Sequence, residues 1–142
     1  RYFSGVYVWG NSPPDKPYKK VVEGKKLFEK FVSTLDNDTK PEEIITRLLE
    51  IATNEKKHLP DPQLALQSGR PLEYYQYNSS IMTRFPLGVT RYGTRSHSIL
   101  IVDHKDKATF YERRMSKPPP DDQQPAEWLD KTITFKLDPV KS

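Results

Sequence analysis

Arg95 is the residue best placed to hold a ligand, because it stands between Thr94 and Ser96 in a run with strand character. A guanidinium that faces a cleft can clamp a carboxylate or a phosphate through two parallel hydrogen bonds, although an arginine on a solvated strand face is equally ordinary. His97 shares that strand. With His58 and His104 it makes up the three imidazoles of the chain, and their spacing fits no zinc pattern. No metal site and no catalytic residue are expected from these residues. The absence of cysteine removes disulfides, thiolate zinc sites and a cysteine nucleophile from them as well. Trp9, Tyr74, Tyr75, Tyr77 and Tyr92 are numerous enough to line an apolar groove, yet aromatics at strand ends mostly fill a core, and core packing is the stronger reading.

Composition narrows the class. The 142 residues suit one domain or part of one, and the apolar residues, 35% of the chain, are clustered, which argues against general disorder. A net charge of +4 arises from 23 basic and 19 acidic residues that are interspersed. A nucleic-acid footprint needs a concentrated basic face, so no nucleic-acid partner is expected. The lysines at 19, 25 and 56 read as solvated helix surface. No apolar run approaches the roughly 20 residues of a membrane-spanning helix, so no transmembrane segment is expected.

The elements that must position these side chains follow from periodicity. Val6-Tyr7-Val8-Trp9 reads as a strand that begins at once, as though cut from something longer, and Gly10-Asn11-Ser12-Pro13-Pro14 ends it in a turn. From about Tyr18 a helical stripe of Val21, Leu27, Phe28, Phe31, Val32 and Leu35 appears, with Gly24 suggesting a close backbone contact. A second helix has Thr39 as cap, Pro41 in its first turn and Glu42 completing a capping box. It buries Ile44, Ile45, Leu48, Leu49 and Ala52 and ends near Asn54. Residues 58–76, with three prolines and a glycine, read as a long irregular connection. Strands are then expected over Ser80 to Phe85, Tyr92 to Asp103, Thr109 to Arg113 and Thr132 to Leu137. His104 to Lys107 forms a tight hairpin and Ser116 to Pro125 a flexible, proline-rich excursion.

The order of one strand, two helices and four mostly antiparallel strands specifies an α+β fold in a single segment, 1–142. Ile99-Leu100-Ile101-Val102 is apolar on both faces, and two helices can cover only one face of such a sheet. The second face must be covered by residues outside this segment.

Several stretches together resemble the C-terminal half of the transport and Golgi organisation protein two family, also called the NRDE family after an N-terminal motif. The most specific is Tyr92-Gly93-Thr94-Arg95-Ser96-His97-Ser98-Ile99-Leu100-Ile101-Val102-Asp103, followed by Thr109-Phe110-Tyr111-Glu112-Arg113. Upstream, Gly5 to Ser12, Gly24 to Phe28, Asn54-Glu55 and Leu59-Pro60-Asp61-Pro62 recur in the family's order. The likeness covers nearly the whole chain. It implies an N-terminal-nucleophile-hydrolase-like αββα sandwich of which this chain is the C-terminal half, its N-terminal half being the first partner. The naming motif and the cysteine that such a hydrolase would expose are absent here.

The resemblance implies a haem trafficking or chaperone role in haem and lipid homeostasis and in endoplasmic reticulum and Golgi organisation. Its expected place is the cytoplasm, or in association with mitochondria or the Golgi. Haem would be cargo, with Arg95 on a propionate, His97 as the first choice of axial imidazole, and Tyr92, Thr94 and Asn11 lining the cleft. The alternative is a cysteine-dependent amidase or acyl-thioester hydrolase. There Asn11 would occupy the position of an oxyanion-hole amide and Arg95 would hold the acyl carboxylate or thioester phosphates. An asparagine before Ser12-Pro13-Pro14 is also an ordinary turn former, and that reading outweighs the oxyanion one.

Overall fold

A computed structural model describes residues 4–138, so the outermost residues of the expected segment, 1–3 and 139–142, lie outside it. The elements are α1 (Lys19–Val32), α2 (Pro41–Ala52), α3 (Pro62–Ser68), the single turn α4 (Leu72–Tyr75) with a 3-10 turn at Gln76–Ser79, and then β1 (Ser96–Val102), β2 (Lys107–Lys117) and β3 (Glu127–Lys136). The strands form one antiparallel sheet in the order β1-β2-β3. The α+β class follows, with helices on a three-stranded antiparallel sheet.

Both long helices lie where the apolar stripes put them. Ile45 of α2 is buried with Ile99 of β1 and Tyr111 of β2, and Leu48, Leu49 and Ile101 pack around them. On α1 the stripe narrows to Phe31, whose ring Arg47 of α2 covers at 4.8 Å. Thr39 does not cap α2. Its hydroxyl donates to Asp36 Oδ1 and accepts from the Asp36 backbone N–H, so it is used up in the preceding turn and the helix starts at Pro41 after Lys40. Glu42 and Glu43 in the first turn meet the positive end of the helix dipole instead. The close backbone approach expected at Gly24 is also absent: a Cβ there would meet Ile81 Cδ1 at an ordinary 3.6 Å.

The connection over 58–76 is not irregular. Asp61 caps α3, accepting from Leu64 N at 3.0 Å, Pro62 takes the first turn, and Gly69 closes the helix in the left-handed region at φ 59. Asp61 is 2% exposed, and its other oxygen accepts from the Lys19 backbone N–H at 2.8 Å. One carboxylate thus satisfies orphan donors at the N-termini of two helices, and Tyr18, the first flank of α1, needs no side-chain cap of its own.

Two expected strands do not form. Val6 to Trp9 has no partner strand among the described residues and stays outside the sheet, with Tyr7 stacked on Trp9 at 5.8 Å. Ser80 to Phe85 contributes one isolated bridge, Arg84 to Gly93. A hydroxyl replaces a ladder partner there, because Thr83 N donates to Thr94 Oγ1 at 3.0 Å, and Pro86 ends the pairing. The turn after β1 forms as expected, with Asp103 Oδ1 accepting from Lys105 N and Lys107 N and Asp106 at φ 58.

Cross-strand partners share a face. One face carries His97, Ile99 and Ile101 opposite Arg113, Tyr111 and Thr109, and α2 packs on it. The other carries Leu100 opposite Phe110 and Ile133, and Val102 opposite Ala108 and Phe135. On that second face Leu100 is 61% exposed, and Val102, Ile133 and Phe135 are exposed too. Ala108 is buried and Phe110 half-buried between these side chains, so the exposed part of the face lies on its two outer strands.

Candidate functional site

The helix-facing side of the sheet ends in two cross-strand rows. In one, Arg95 accepts from Met115 N through its carbonyl at 2.8 Å, and Met115 pairs with Trp128. In the next, His97 pairs with Arg113 and Arg113 with Asp130. The alternation of side chains puts the five strand residues on one face, and Arg95, one residue before β1, adjoins them through its carbonyl. His97 stacks on Trp128 with centroids 5.8 Å apart and ring planes 29° from parallel, and the Arg113 guanidinium lies 5.8 Å from the same ring. Arg113 Nε is 3.6 Å from Asp130 Oδ1, and the same carboxylate acts on the Tyr111 phenol.

Burial, followed by the positive charge of Arg113, holds the His97 imidazole below its ordinary pKa. The ring is therefore neutral at physiological pH. Its Nε2 is buried and has no hydrogen-bond partner. Burial, reinforced by the hydrogen bond and charge of Asp130, pushes the Tyr111 phenol up, so it stays a donor. The patch therefore combines an aromatic plane, a neutral imidazole and the Arg113 guanidinium, with Arg95 at its edge. Arg95 is exposed, while Arg113 is half-buried and shared with Asp130. Such a surface can stack a flat apolar body and hold acid groups at its edge.

The remaining sequence candidates fall elsewhere. Tyr92 is largely exposed and meets Phe85 edge-on at 5.7 Å, in a cluster where Tyr74 and Tyr77 also touch the buried Phe85 ring. Thr94 is committed to Thr83 through both its N–H and its hydroxyl. Asn11 lies against α3, where its carbonyl accepts from Gln67 Nε2 at 2.8 Å, and no hydrogen bond, ion pair or ring contact joins it to Arg95 or His97. Of these candidates His97 makes a ring contact in the patch, and Arg95 adjoins it through its backbone. Trp128, Arg113 and Asp130 were not singled out by sequence reasoning. The signal was present: Trp128, Asp130, Thr132 and Thr134 alternate with Leu129, Lys131, Ile133 and Phe135, so the strand starts several residues before Thr132.

Among the described residues no group of three or more His, Cys, Asp or Glu could hold a metal ion, and no helix is long and apolar enough to cross a membrane.

Comparison with known proteins agrees with these segments. The family described as Transport and Golgi organisation 2 matches residues 2–117. The chain is 31% identical over 137 residues to the Transport and Golgi organization 2 homolog of Mus musculus, covering 94% of this chain and 45% of that protein. It is 32% identical over 134 residues to the Homo sapiens homolog, with the same coverage. The Drosophila melanogaster protein of that name is 31% identical over 110 residues, or 78% of this chain and 37% of the relative. The chain thus spans about half the length of the mammalian relatives it matches. By the extent of the family match, the chain belongs to the Transport and Golgi organisation 2 family.

Proposed function

We propose that this chain forms one wall of a carrier for a flat, apolar, carboxylate-bearing ligand, with haem as the leading cargo, in the transport and Golgi organisation role that its relatives are named for. The supporting observation is the Trp128 ring in contact with both His97 and Arg113, in the row that Arg95 joins through its bond to Met115. A porphyrin would stack on Trp128 while Arg95 and Arg113 take its propionates. His97, neutral and without a partner at Nε2, is the one imidazole on this face; the nitrogen is closed to solvent in this conformation, so stacking and propionate contacts carry the first binding step.

The bare face of the sheet supports the second half of the reading. Leu100, Val102, Ile133 and Phe135 would be covered by the other part of a family-length protein, completing an αββα sandwich in which haem could pass through the cytoplasm or between mitochondria and Golgi membranes. A cysteine-dependent hydrolase of amides or acyl thioesters would need a nucleophile that these residues do not contain. Titration of the complete protein with haem separates the two. The carrier reading expects a saturable absorbance change, weakened by Arg95→Ala and by His97→Ala, with no turnover of substrate. Release of product from an amide or thioester, lost on replacing the first cysteine of the complete protein, would overturn it.

A further inference from the structure

Strand β3 lies at one margin of the sheet, and among the described residues nothing pairs with its free side. Every residue of it except Trp128 is exposed, although Leu129, Ile133 and Phe135 are large and apolar. Leu137 N donates to the Asp106 carbonyl in continuation of the β2-β3 register, so the odd-numbered residues of β3 are those bonded to β2. The even-numbered residues, from Trp128 to Lys136, turn their N–H and C=O groups outward. Neither proline nor glycine interrupts β3, and the irregularity of this ladder falls at its far end, by Met115 and Lys117. The outward row carries two charges of opposite sign, Asp130 and Lys136.

These charges select an occupant. Two copies related by a two-fold axis can lay β3 antiparallel to itself only about a shared central residue, and that centre fixes every cross-strand pair. Centred on Asp130 or Lys131, the strand sets like charges face to face, and centred on Thr134 it sets Asp130 against Asp138. Centred on Thr132, Asp130 and Lys136 face Thr134 and Trp128 and find no counter-charge. Centred on Ile133, Asp130 meets Lys136 of the other copy at both ends, Thr132 meets Thr134, Leu129 meets Leu137 and Ile133 meets its own counterpart. Among these central registers the last alone joins opposite charges, and it gathers apolar side chains of the bare face. It also sets Lys131 beside Phe135, away from its twin. The β1 margin lacks such a code, because its outward residues Ser96, Ser98, Leu100 and Val102 carry no charge.

We propose that β3 joins a second copy of this chain, antiparallel and centred on Ile133, in one continuous sheet with three strands from each copy. Residues Asp130 to Lys136 would exchange about eight backbone hydrogen bonds, two for each outward-facing pair. Asp130 would hold Lys136 of the other copy beside its own Arg113, and one carboxylate can accept from both. The axis stands perpendicular to the sheet, so α2 of each copy lies on the same side and the two bare faces merge into one surface. The pairing is independent of the carrier reading, since an edge of backbone groups needs no ligand on either face.

Sedimentation velocity of the complete protein without haem, from about 2 to 200 µM, is expected to pass from monomer to dimer, since an edge contact is small and dissociates on dilution. Thr134→Pro removes an outward N–H that the monomer does not use, so circular dichroism should stay native while the dimer weakens at least about tenfold. Thr134→Val keeps that N–H and should still dimerise. Lys136→Glu, which sets a like charge against Asp130, should weaken the dimer at least about fivefold. Under mild oxidation Ile133→Cys should link two copies at position 133, at least about tenfold faster than Leu129→Cys, whose counterpart is Leu137. A monomer at the highest concentration, a dimer indifferent to Thr134→Pro, or equal linking at positions 129 and 133 would each overturn the pairing. Because the two cysteine variants are compared with each other, the outcome does not depend on the proline variant folding.

Discussion

The carboxylate of Asp61 accepts a hydrogen bond at 2.8 Å from the backbone N–H of Lys19, a residue 42 positions earlier, while capping its own helix through Leu64. This one side chain fixes the start of α1 against the start of α3. It is buried and held by these two backbone N–H donors, with the Lys20 side chain within electrostatic reach.

Asp61→Ala should therefore cost about 2–4 kcal/mol, the sum of two lost caps in a buried setting. Asp61→Asn, which keeps one oxygen and cannot accept from both helices, should fall between. Urea unfolding followed by circular dichroism measures both, and a loss below about 1 kcal/mol for the alanine variant would show that the two caps are redundant.

Two glycines should respond with opposite signs. A Cβ at Gly93 would stand 2.8 Å from the Thr83 carbonyl oxygen, a backbone atom that cannot swing aside, so Gly93→Ala should destabilise by about 1–3 kcal/mol. At Gly24, inside α1, the same methyl has room against Ile81, and Gly24→Ala should stabilise by about 0.5–1 kcal/mol. Thermal unfolding of the pair decides the point by the direction of each shift.

Acidification should weaken the fold through His97. Its folded-state pKa lies below the ordinary value near 6.5, so below that pH the unfolded chain takes up a proton that the folded one resists. Stability attached to this residue is complete above about pH 6.5 and declines as pH falls toward the depressed value. His97→Gln should have a flatter dependence of the unfolding midpoint between about pH 7 and 5. Parallel slopes for the two proteins would remove His97 from the cause.

The bare side of the sheet gives a fourth comparison. In the complete protein Leu100→Lys should cost more than about 2 kcal/mol, because a second layer would bury it. Leu66→Lys, at a site 78% exposed on α3, should change stability by less than about 0.5 kcal/mol. Equal, small effects would mean that the face stays open.

How much of this could be read from the residues differs by element. The stripes of α1 and α2 were legible because a 3.6-residue period over a dozen positions leaves few alternatives. The hairpin around Asp103 was legible from its turn chemistry. The α3 helix was hidden by its own punctuation. Pro60 and Pro62 suggest a loop until Asp61 is read as an N-cap, Pro62 as a first-turn residue and Gly69 as the stop. Val6 to Trp9 failed for the opposite reason, since local strand preference does not decide whether a segment joins the sheet, and this one stays outside the β1-β2-β3 sheet. Of the site, His97 was visible as a type in a strand, whereas Arg95 falls one residue before β1, which starts at Ser96 rather than at Tyr92. Their partners Arg113 and Trp128 depend on register across three strands, which no local pattern discloses.

The uncovered face is also graded along its length. Next to the Asp103 turn its cross-strand rows are Val102-Ala108-Phe135 and Leu100-Phe110-Ile133, whereas farther on they become Ser98-Glu112-Lys131 and Ser96-Arg114-Leu129. A lid laid over this surface finds grease at one end and charge at the other, so a reversed lid would drive ionic groups into hydrocarbon. The sheet thereby acts as a compass for whatever docks on it, admitting one heading and penalising its opposite.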